Sequence, residues 1–85
     1  MYEIEWTNKA FRQLRKIRNK KFRETIYNAV TELKNLPNCA NVKKLKSRKG
    51  YRLKVQNWRV IFDKKDVLKI IEIQEVKKRD ERTYS

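Results

Sequence analysis

The apolar positions of the chain follow two different spacings, and the change of spacing separates predicted helices from predicted strands. Tyr2, Ile4 and Trp6 alternate with glutamates, which predicts a first strand over residues 2–6. Thr7 is a suitable cap for a helix that follows it. That helix has apolar residues three or four positions apart, at Ala10, Phe11, Leu14 and Ile17.

A second helix is predicted from about Lys21 to Leu36, where Pro37 and Asn38 end it. Its apolar stripe consists of Phe22, Ile26, Ala29, Val30 and Leu33. Residues 38–50 are predicted to form a loop that carries the basic run KKLKSRKG. Together the two helices should form a hairpin because the connection between them is short.

The last third of the chain predicts three strands separated by tight turns. Residues 51–55 and 58–62 alternate between apolar and polar, with a turn at Gln56 and Asn57. A second turn is predicted at Asp63–Asp66, followed by a long strand from Val67 to Val76. The apolar run LKIIEI within that strand predicts a central position with both faces buried.

The predicted order is β-α-α-β-β-β, which indicates an α+β fold in one domain spanning residues 1–85. A small antiparallel sheet would carry the helical hairpin on one face. Side chains alternate between the faces of a strand, so one set should meet the helices: Leu53, Val55, Val60 and Phe62. Arg52, Lys54 and Arg59 should then lie together on the uncovered face.

The charge of the chain favours a polyanionic partner. Lys and Arg number 24 against 10 Asp and Glu, a formal net charge of +14. Nucleic acid is the first candidate and a membrane surface the second, while solubility alone is the simplest alternative. No apolar run is long enough to cross a membrane. A single cysteine and the absence of a signal-peptide pattern favour the cytoplasm.

The composition excludes several kinds of chemistry. The chain has no histidine, one cysteine and one glycine, which excludes His-based acid–base pairs, Cys-rich zinc sites and Gly-rich phosphate loops. Asp63 and Asp66 favour turn geometry over a magnesium site, so we predict neither a metal nor a cofactor. The remaining Lys, Arg and Tyr side chains suit a phosphodiester, and the 2′-OH of an RNA substrate would itself be the nucleophile.

Simpler interpretations exist for each feature. Alternating Arg and Lys on a strand are typical of a solvated sheet face, and the tail KKRDERTYS is typical of a frayed terminus. The residues alone therefore indicate a basic α+β domain that binds nucleic acid or phosphate.

The predicted helix hairpin and the strands after it resemble the RelE/ParE superfamily of toxins from type II toxin–antitoxin systems. The resemblance rests on the GYRL…WRVIF stretch and the VKKRD…Y ending, and it extends over nearly the whole chain. The RelE branch consists of ribosome-dependent endoribonucleases that cut messenger RNA by 2′-OH attack without a metal. The ParE branch inhibits DNA gyrase. The resemblance favours the RelE branch, so we expect a ribosome-dependent endoribonuclease. The alternatives are a ParE-like gyrase inhibitor and an inactive member of the superfamily that only binds an antitoxin or nucleic acid. The superfamily fold is a small antiparallel sheet with a helical hairpin on one face.

The resemblance also implies roles for individual residues. Lys54 matches a general base or phosphate-binding lysine, and Arg59 matches the arginine that holds the scissile phosphate. Arg79, with Lys78 as the competing choice, matches the cation at the leaving group, and Tyr84 matches the tyrosine that orients a nucleotide. Further RNA contacts are expected from Arg52, Lys43, Lys44, Lys46, Arg48 and Lys78.

The same resemblance implies partners. We expect an acidic cognate antitoxin that covers the basic face, with the ribosome and messenger RNA as targets. The basic outer sides of the helices would contact ribosomal RNA, and the free toxin should be a monomer.

Overall fold

The computed structural model describes residues 1–46 and 48–79. The chain forms β1 (Glu3–Trp6), α1 (Asn8–Arg15), α2 (Lys20–Thr31), a short 3₁₀ helix (Glu32–Asn35), β2 (Val42–Lys44), β3 (Tyr51–Val55), β4 (Trp58–Lys65) and β5 (Ile70–Lys78). The five strands make one sheet in the order β1-β5-β4-β3-β2. This arrangement confirms the predicted α+β class.

The sheet is mixed, because the first strand runs parallel to the last. Glu3 of β1 lies in register with Ile70 of β5, whereas the pairs β2–β3, β3–β4 and β4–β5 are antiparallel. A parallel neighbour needs a long connection, and the chain supplies it with the helices and the three strands between β1 and β5. The predicted antiparallel sheet therefore gains one parallel pair.

Both helices pack on the same face of the sheet, which we call the helical face. The buried residues of α1 and α2 are Ala10, Leu14, Ile26 and Val30, and Ile17 after α1 and Leu33 of the 3₁₀ helix are buried with them. The strands supply Leu53, Val55, Val60, Phe62, Ile71, Ile73 and Val76 to the same core. The sequence prediction of which residues meet the helices is thus confirmed, and the opposite face of the sheet carries no helix.

Two side-chain caps start the helices. Thr7 Oγ1 accepts a hydrogen bond from Ala10 N at 3.1 Å and donates one to Ile73 O at 2.8 Å. Asn19 Oδ1 accepts from the backbone of Lys21 and Phe22 at the start of α2. The bond from Thr7 to Ile73 fixes α1 against β5, because one hydroxyl serves both the cap and the strand.

The first strand pairs only with residues 70–73 of β5, and α1 lies along the edge of β5 after that point. Gln13 Oε1 accepts a hydrogen bond from Val76 N at 2.7 Å, so a strand donor at the sheet edge is satisfied by a helix side chain. The registers Phe62–Ile73 and Ile61–Glu75 place Gln74 in a bulge of β5. The bulge keeps Val76 on the helical face although it is three residues after Ile73.

The structure corrects several predicted boundaries. Asp63 lies within β4, and the predicted turn at 63–66 occurs later, at 66–69. Val67 is 96% exposed in that turn, so β5 begins at Ile70 rather than at Val67. The prediction that β5 is buried on both faces is also wrong, since Glu72 and Glu75 are on its uncovered side.

The other corrections concern the helix end and the loop. The second helix is α only as far as Thr31 and then tightens to 3₁₀. Residues 42–44 of the predicted loop form β2, a short edge strand. Among the described residues, no helix has the length and apolar character needed to cross a membrane.

Candidate functional site

Cationic side chains lie in rows across the uncovered face of the sheet, which we call the open face. Lys43 of β2 is in register with Arg52 of β3, and Lys54 of β3 is in register with Arg59 of β4. Arg59 is in turn opposite Lys77 of β5. Neighbouring strands are about 4.8 Å apart, so each row presents its charges at close spacing.

These rows border a concavity of about 360 Å³, which we call the cationic cavity. It is lined by Asn41, Lys43, Arg52, Lys54, Arg59 and Arg79. Among the residues that the structure describes, the lining has five cations and no carboxylate. Such a lining favours an anion that accepts several hydrogen bonds at once, as a phosphate group does.

Backbone hydrogen bonds position the cations of the cavity. Arg59 Nη1 donates to the carbonyl oxygens of Gln56 and Trp58, at 3.1 and 3.0 Å. Arg79 N donates to Asn57 O at 2.7 Å. The tight turn between β3 and β4 therefore holds one arginine by its side chain and the other by its backbone.

The structure brings part of the predicted site together. Lys54, Arg59 and Arg79 of the predicted catalytic set line the cavity, with Arg52 and Lys43 of the predicted RNA-binding set. Tyr84, the remaining predicted catalytic residue, lies outside the described residues.

Four predicted RNA-binding residues lie elsewhere. Lys44 and Lys78 are in register with Tyr51 and Trp58, which pack against the core, so both lysines belong to the helical face. Arg48 pairs with Glu75 at 3.2 Å, and Lys46 is exposed in the loop before β3. None of the four lines the cationic cavity.

Two residues of the site region were missed from the sequence. Lys77 lies opposite Arg59, and alternation from buried Val76 would have indicated its side of the strand. Asn41 lines the cavity and accepts a hydrogen bond from Lys54 N at 3.0 Å through its carbonyl. Asn41 has a φ of 65°, and no periodic pattern in the sequence predicts it.

Carboxylates occupy the other end of the open face. Glu5, Glu72 and Asp63 form a row across β1, β5 and β4. Hydrogen bonds from Gln74 and then Lys65 lower the pKa of Glu72. The open face is therefore cationic at one end and acidic at the other.

The helices on one face of the sheet and the cationic cavity on the other define a small α+β protein suited to an anionic partner. Residues 4–83 match the family model described as the ParE toxin of the type II toxin–antitoxin system parDE. The chain belongs to this family. No curated protein matches the sequence at a significant level.

Solved structures share the fold at low sequence identity. The toxin–antitoxin complex RelBE2 from Mycobacterium tuberculosis matches with a TM-score of 0.80 at 20% identity, covering 92% of this chain and 98% of that chain. The isolated Escherichia coli RelE toxin matches with a TM-score of 0.80 at 19% identity, covering 99% and 92%. The RelE–RelB complex from Pyrococcus horikoshii matches with a TM-score of 0.80 at 21% identity, covering 94% of this chain and 97% of that chain.

Proposed function

We propose that this toxin is a metal-independent endoribonuclease that cleaves messenger RNA on the ribosome. The observation that carries the proposal is the cationic cavity, where five cations from four segments of the chain converge. A phosphodiester supplies the complementary charge and several acceptor oxygens. The RelE fold of the structural neighbours supports the same class of activity.

In the proposed reaction, the 2′-oxygen of the RNA attacks the adjacent phosphorus. The 2′-OH loses its proton, a P–O2′ bond forms and the P–O5′ bond breaks. The departing 5′-oxygen takes a proton from water, which leaves a cyclic phosphate and a 5′-OH. Lys54 is proposed to accept the proton or to bind the phosphate, and Arg59 to hold the phosphate in its planar fork. Charge that develops on the phosphorane oxygens would be stabilised by donors already in place.

The remaining cations complete this proposal. Arg79 would stabilise the departing 5′-oxygen, and Arg52 would add positive charge without exchanging protons, since a guanidinium stays charged. Lys43 would hold a neighbouring phosphate from the edge strand. Tyr84 is proposed to stack on a nucleotide, as aromatic side chains commonly do with single-stranded RNA.

The proposal includes an antitoxin as a partner. A net charge of +14 favours an acidic chain that covers the cationic cavity and blocks it. The structural neighbours from M. tuberculosis and P. horikoshii are complexes of a RelE-type toxin with its antitoxin. We propose an equivalent acidic antitoxin here.

A second candidate function is inhibition of DNA gyrase. The family model that matches the chain is described as a ParE toxin, and that branch of the superfamily acts on gyrase. The cationic cavity would then bind the phosphate backbone of DNA or an acidic surface of the enzyme without cleaving either.

The deciding experiment compares three substrates with the same purified protein. Ribosomes stalled on a defined messenger RNA, the same RNA without ribosomes, and gyrase with relaxed plasmid are each incubated with wild type. Lys54→Ala tests the cavity, and Lys69→Ala is the control, because Lys69 is an exposed lysine in the turn at 66–69, outside the cavity.

Each result selects one function. Cleavage within the decoding-site codon only on ribosomes, lost in Lys54→Ala and kept in Lys69→Ala, supports the proposal. Cleavage of free RNA would retain the nuclease and remove the ribosome. Inhibited supercoiling with intact RNA would replace the proposal with the gyrase function.

A further inference from the structure

A second concavity, of about 420 Å³, opens beside the cationic cavity, and we call it the edge pocket. The two concavities share Asn41 and Lys54. The walls of the edge pocket include aliphatic side chains from α2, the 3₁₀ helix and β3, and amide side chains that have no role in the proposed reaction. The residues on which the inference rests are Ala29, Val55, Asn38 and Gln56, and the exposed carboxylate of Glu32 also lines the pocket.

Two residues with left-handed backbones join the edge pocket to the cationic cavity. Asn41 has a φ of 65° and Gln56 a φ of 54°, and both line the edge pocket. The carbonyl of Asn41 accepts from Lys54 N, and the carbonyl of Gln56 accepts from Arg59 Nη1. Positive φ is uncommon outside glycine and persists where the surrounding structure imposes it. The same two residues therefore shape the pocket and hold two cations of the cavity.

We propose that the edge pocket binds the base of a nucleotide whose phosphate lies in the cationic cavity. The inference rests on the proposed function for the phosphate and adds a site for the base. A volume of about 420 Å³ falls within the usual range for small-molecule pockets, roughly 300–1,000 Å³. A nucleobase is planar, largely apolar on its faces and polar at its edges, so it matches aliphatic walls with amides between them.

The amides give the pocket a means of distinguishing bases. Asn38 and Gln56 each offer a donor and an acceptor, which is the combination that pairs with base edges. Asn38 is exposed at the rim, and it can be changed with little effect on the core. The pocket would therefore influence which nucleotide is held beside the scissile phosphate.

Cys39 provides a direct probe of occupancy, because it lines the edge pocket and is the only cysteine of the chain. Its thiol is half-buried and donates to Glu32 O at 2.9 Å. Burial raises the pKa of the Cys39 thiol, so alkylation should be followed at about pH 9, since the thiolate is the reactive form.

The test measures the rate of Cys39 alkylation in the full-length protein by mass spectrometry. The probes are the four nucleoside 3′-monophosphates, ribose 5-phosphate, inorganic phosphate and a short oligoribonucleotide. At ten times Kd, occupancy leaves about one molecule in ten free, so protection should be about tenfold. Ribose 5-phosphate and phosphate lack a base and should leave the rate unchanged. If mononucleotides protect Cys39 as well as the oligoribonucleotide does, the pocket also binds free nucleotides. If only the oligoribonucleotide protects Cys39, the pocket binds a base only as part of an RNA chain.

Variants separate the pocket from the cavity. Ala40→Phe fills the exposed rim of the pocket and should abolish the protection of Cys39 by nucleotides. Asn38→Ala should change which of the four nucleotides protects Cys39 best. Asn28→Ala is the control, because Asn28 is an exposed asparagine of α2 outside the pocket. Arg59→Ala should raise the half-protecting concentration about tenfold or more, since it removes a charged phosphate donor.

The proposal is overturned if no nucleotide or oligoribonucleotide slows alkylation, or if inorganic phosphate protects Cys39 as well as nucleotides do. The experiments distinguish a wrong assignment of the edge pocket from a wrong assignment of the nuclease activity. RNA cleavage without base-dependent protection would reject only the edge pocket. Base-dependent protection without cleavage would keep a nucleotide site and reject the nuclease.

Discussion

Replacement of Arg59 is the sharpest test of the proposed site. Both backbone hydrogen bonds of its guanidinium use Nη1, at 3.1 and 3.0 Å, so Nε and Nη2 keep their N–H groups for a phosphate. The side chain is therefore oriented before any substrate arrives. Loss of one such preorganised donor typically costs about 2.7–4 kcal/mol in the transition state, a rate loss of about 10²–10³. We expect this loss in the cleavage rate of Arg59→Ala.

Arg59→Lys separates charge from geometry. Lysine keeps the positive charge but cannot hold two phosphate oxygens in a planar fork, so its rate should lie between those of wild type and Arg59→Ala. Single-turnover cleavage on stalled ribosomes measures the rates, and chemical denaturation checks that each variant is folded. A folded Arg59→Ala protein that cleaves within about threefold of wild type would refute the catalytic role, because the expected loss is far larger.

Three further predictions concern the framework of the site. Gly50→Ala should lower stability by about 1–3 kcal/mol, since Gly50 has a φ of 124° and an added Cβ would lie 3.2 Å from Phe62 O. Thr7→Ala should cost about 1 kcal/mol, because it removes the cap bond to Ala10 N. The hydrogen bond from Lys9 lowers the pKa of Glu75 below the ordinary value for a glutamate, which is about 4. The ionised Glu75 therefore stabilises the fold above that ordinary value, and this stabilisation is lost as the pH falls through the lowered pKa. Solvent exposure of the Lys9 partner limits that contribution to within about 1 kcal/mol.

Urea denaturation measures all three effects. Lys49→Ala is the control for the glycine, as an exposed neighbour whose change should stay within about 0.5 kcal/mol. Thr7→Ser keeps the hydroxyl and should retain most of the stability, so equal losses in Ser and Ala would contradict the capping argument. Glu75→Gln should flatten the acid side of the stability profile, and a profile parallel to wild type would contradict the assigned pKa direction.

The sequence predicts the helical face well because burial enforces a single period. Ala10, Leu14 and Ile26 follow helical spacing, and Leu53 and Val60 follow strand alternation, and all five are buried. The sequence predicts the turn between β4 and β5 about three residues before its place in the structure, because residues 63–66 are of types that favour turns. In the structure, β4 extends through Asp63 to Lys65, and the turn that follows it contains the exposed residues Val67 and Leu68.

The cavity could be predicted only in part, because its completion depends on contacts between distant segments. Alternation placed Arg52, Lys54 and Arg59 on one face, but it could not show that β2 exists and adds Lys43 beside them. Arg48 was predicted to contact RNA from its place in a basic run. The structure pairs it with Glu75 across 27 positions of sequence, which no local pattern indicates.

The division of charge on the open face limits how a polyanion can lie there. Along β4, the open-face residues change from Arg59 to Ile61 to Asp63, from cation through a buried apolar residue to carboxylate. A phosphate chain that followed β4 would leave the cations and approach the row of Glu72 and Asp63, where like charges repel it. A chain that crossed the strands would stay over the cationic rows from β2 to β5. RNA bound at this face should therefore run across β3 and β4. Asp63→Lys would remove the repulsion along β4 and let RNA extend in that direction as well, so it should increase RNA affinity without changing the cleavage rate of bound RNA.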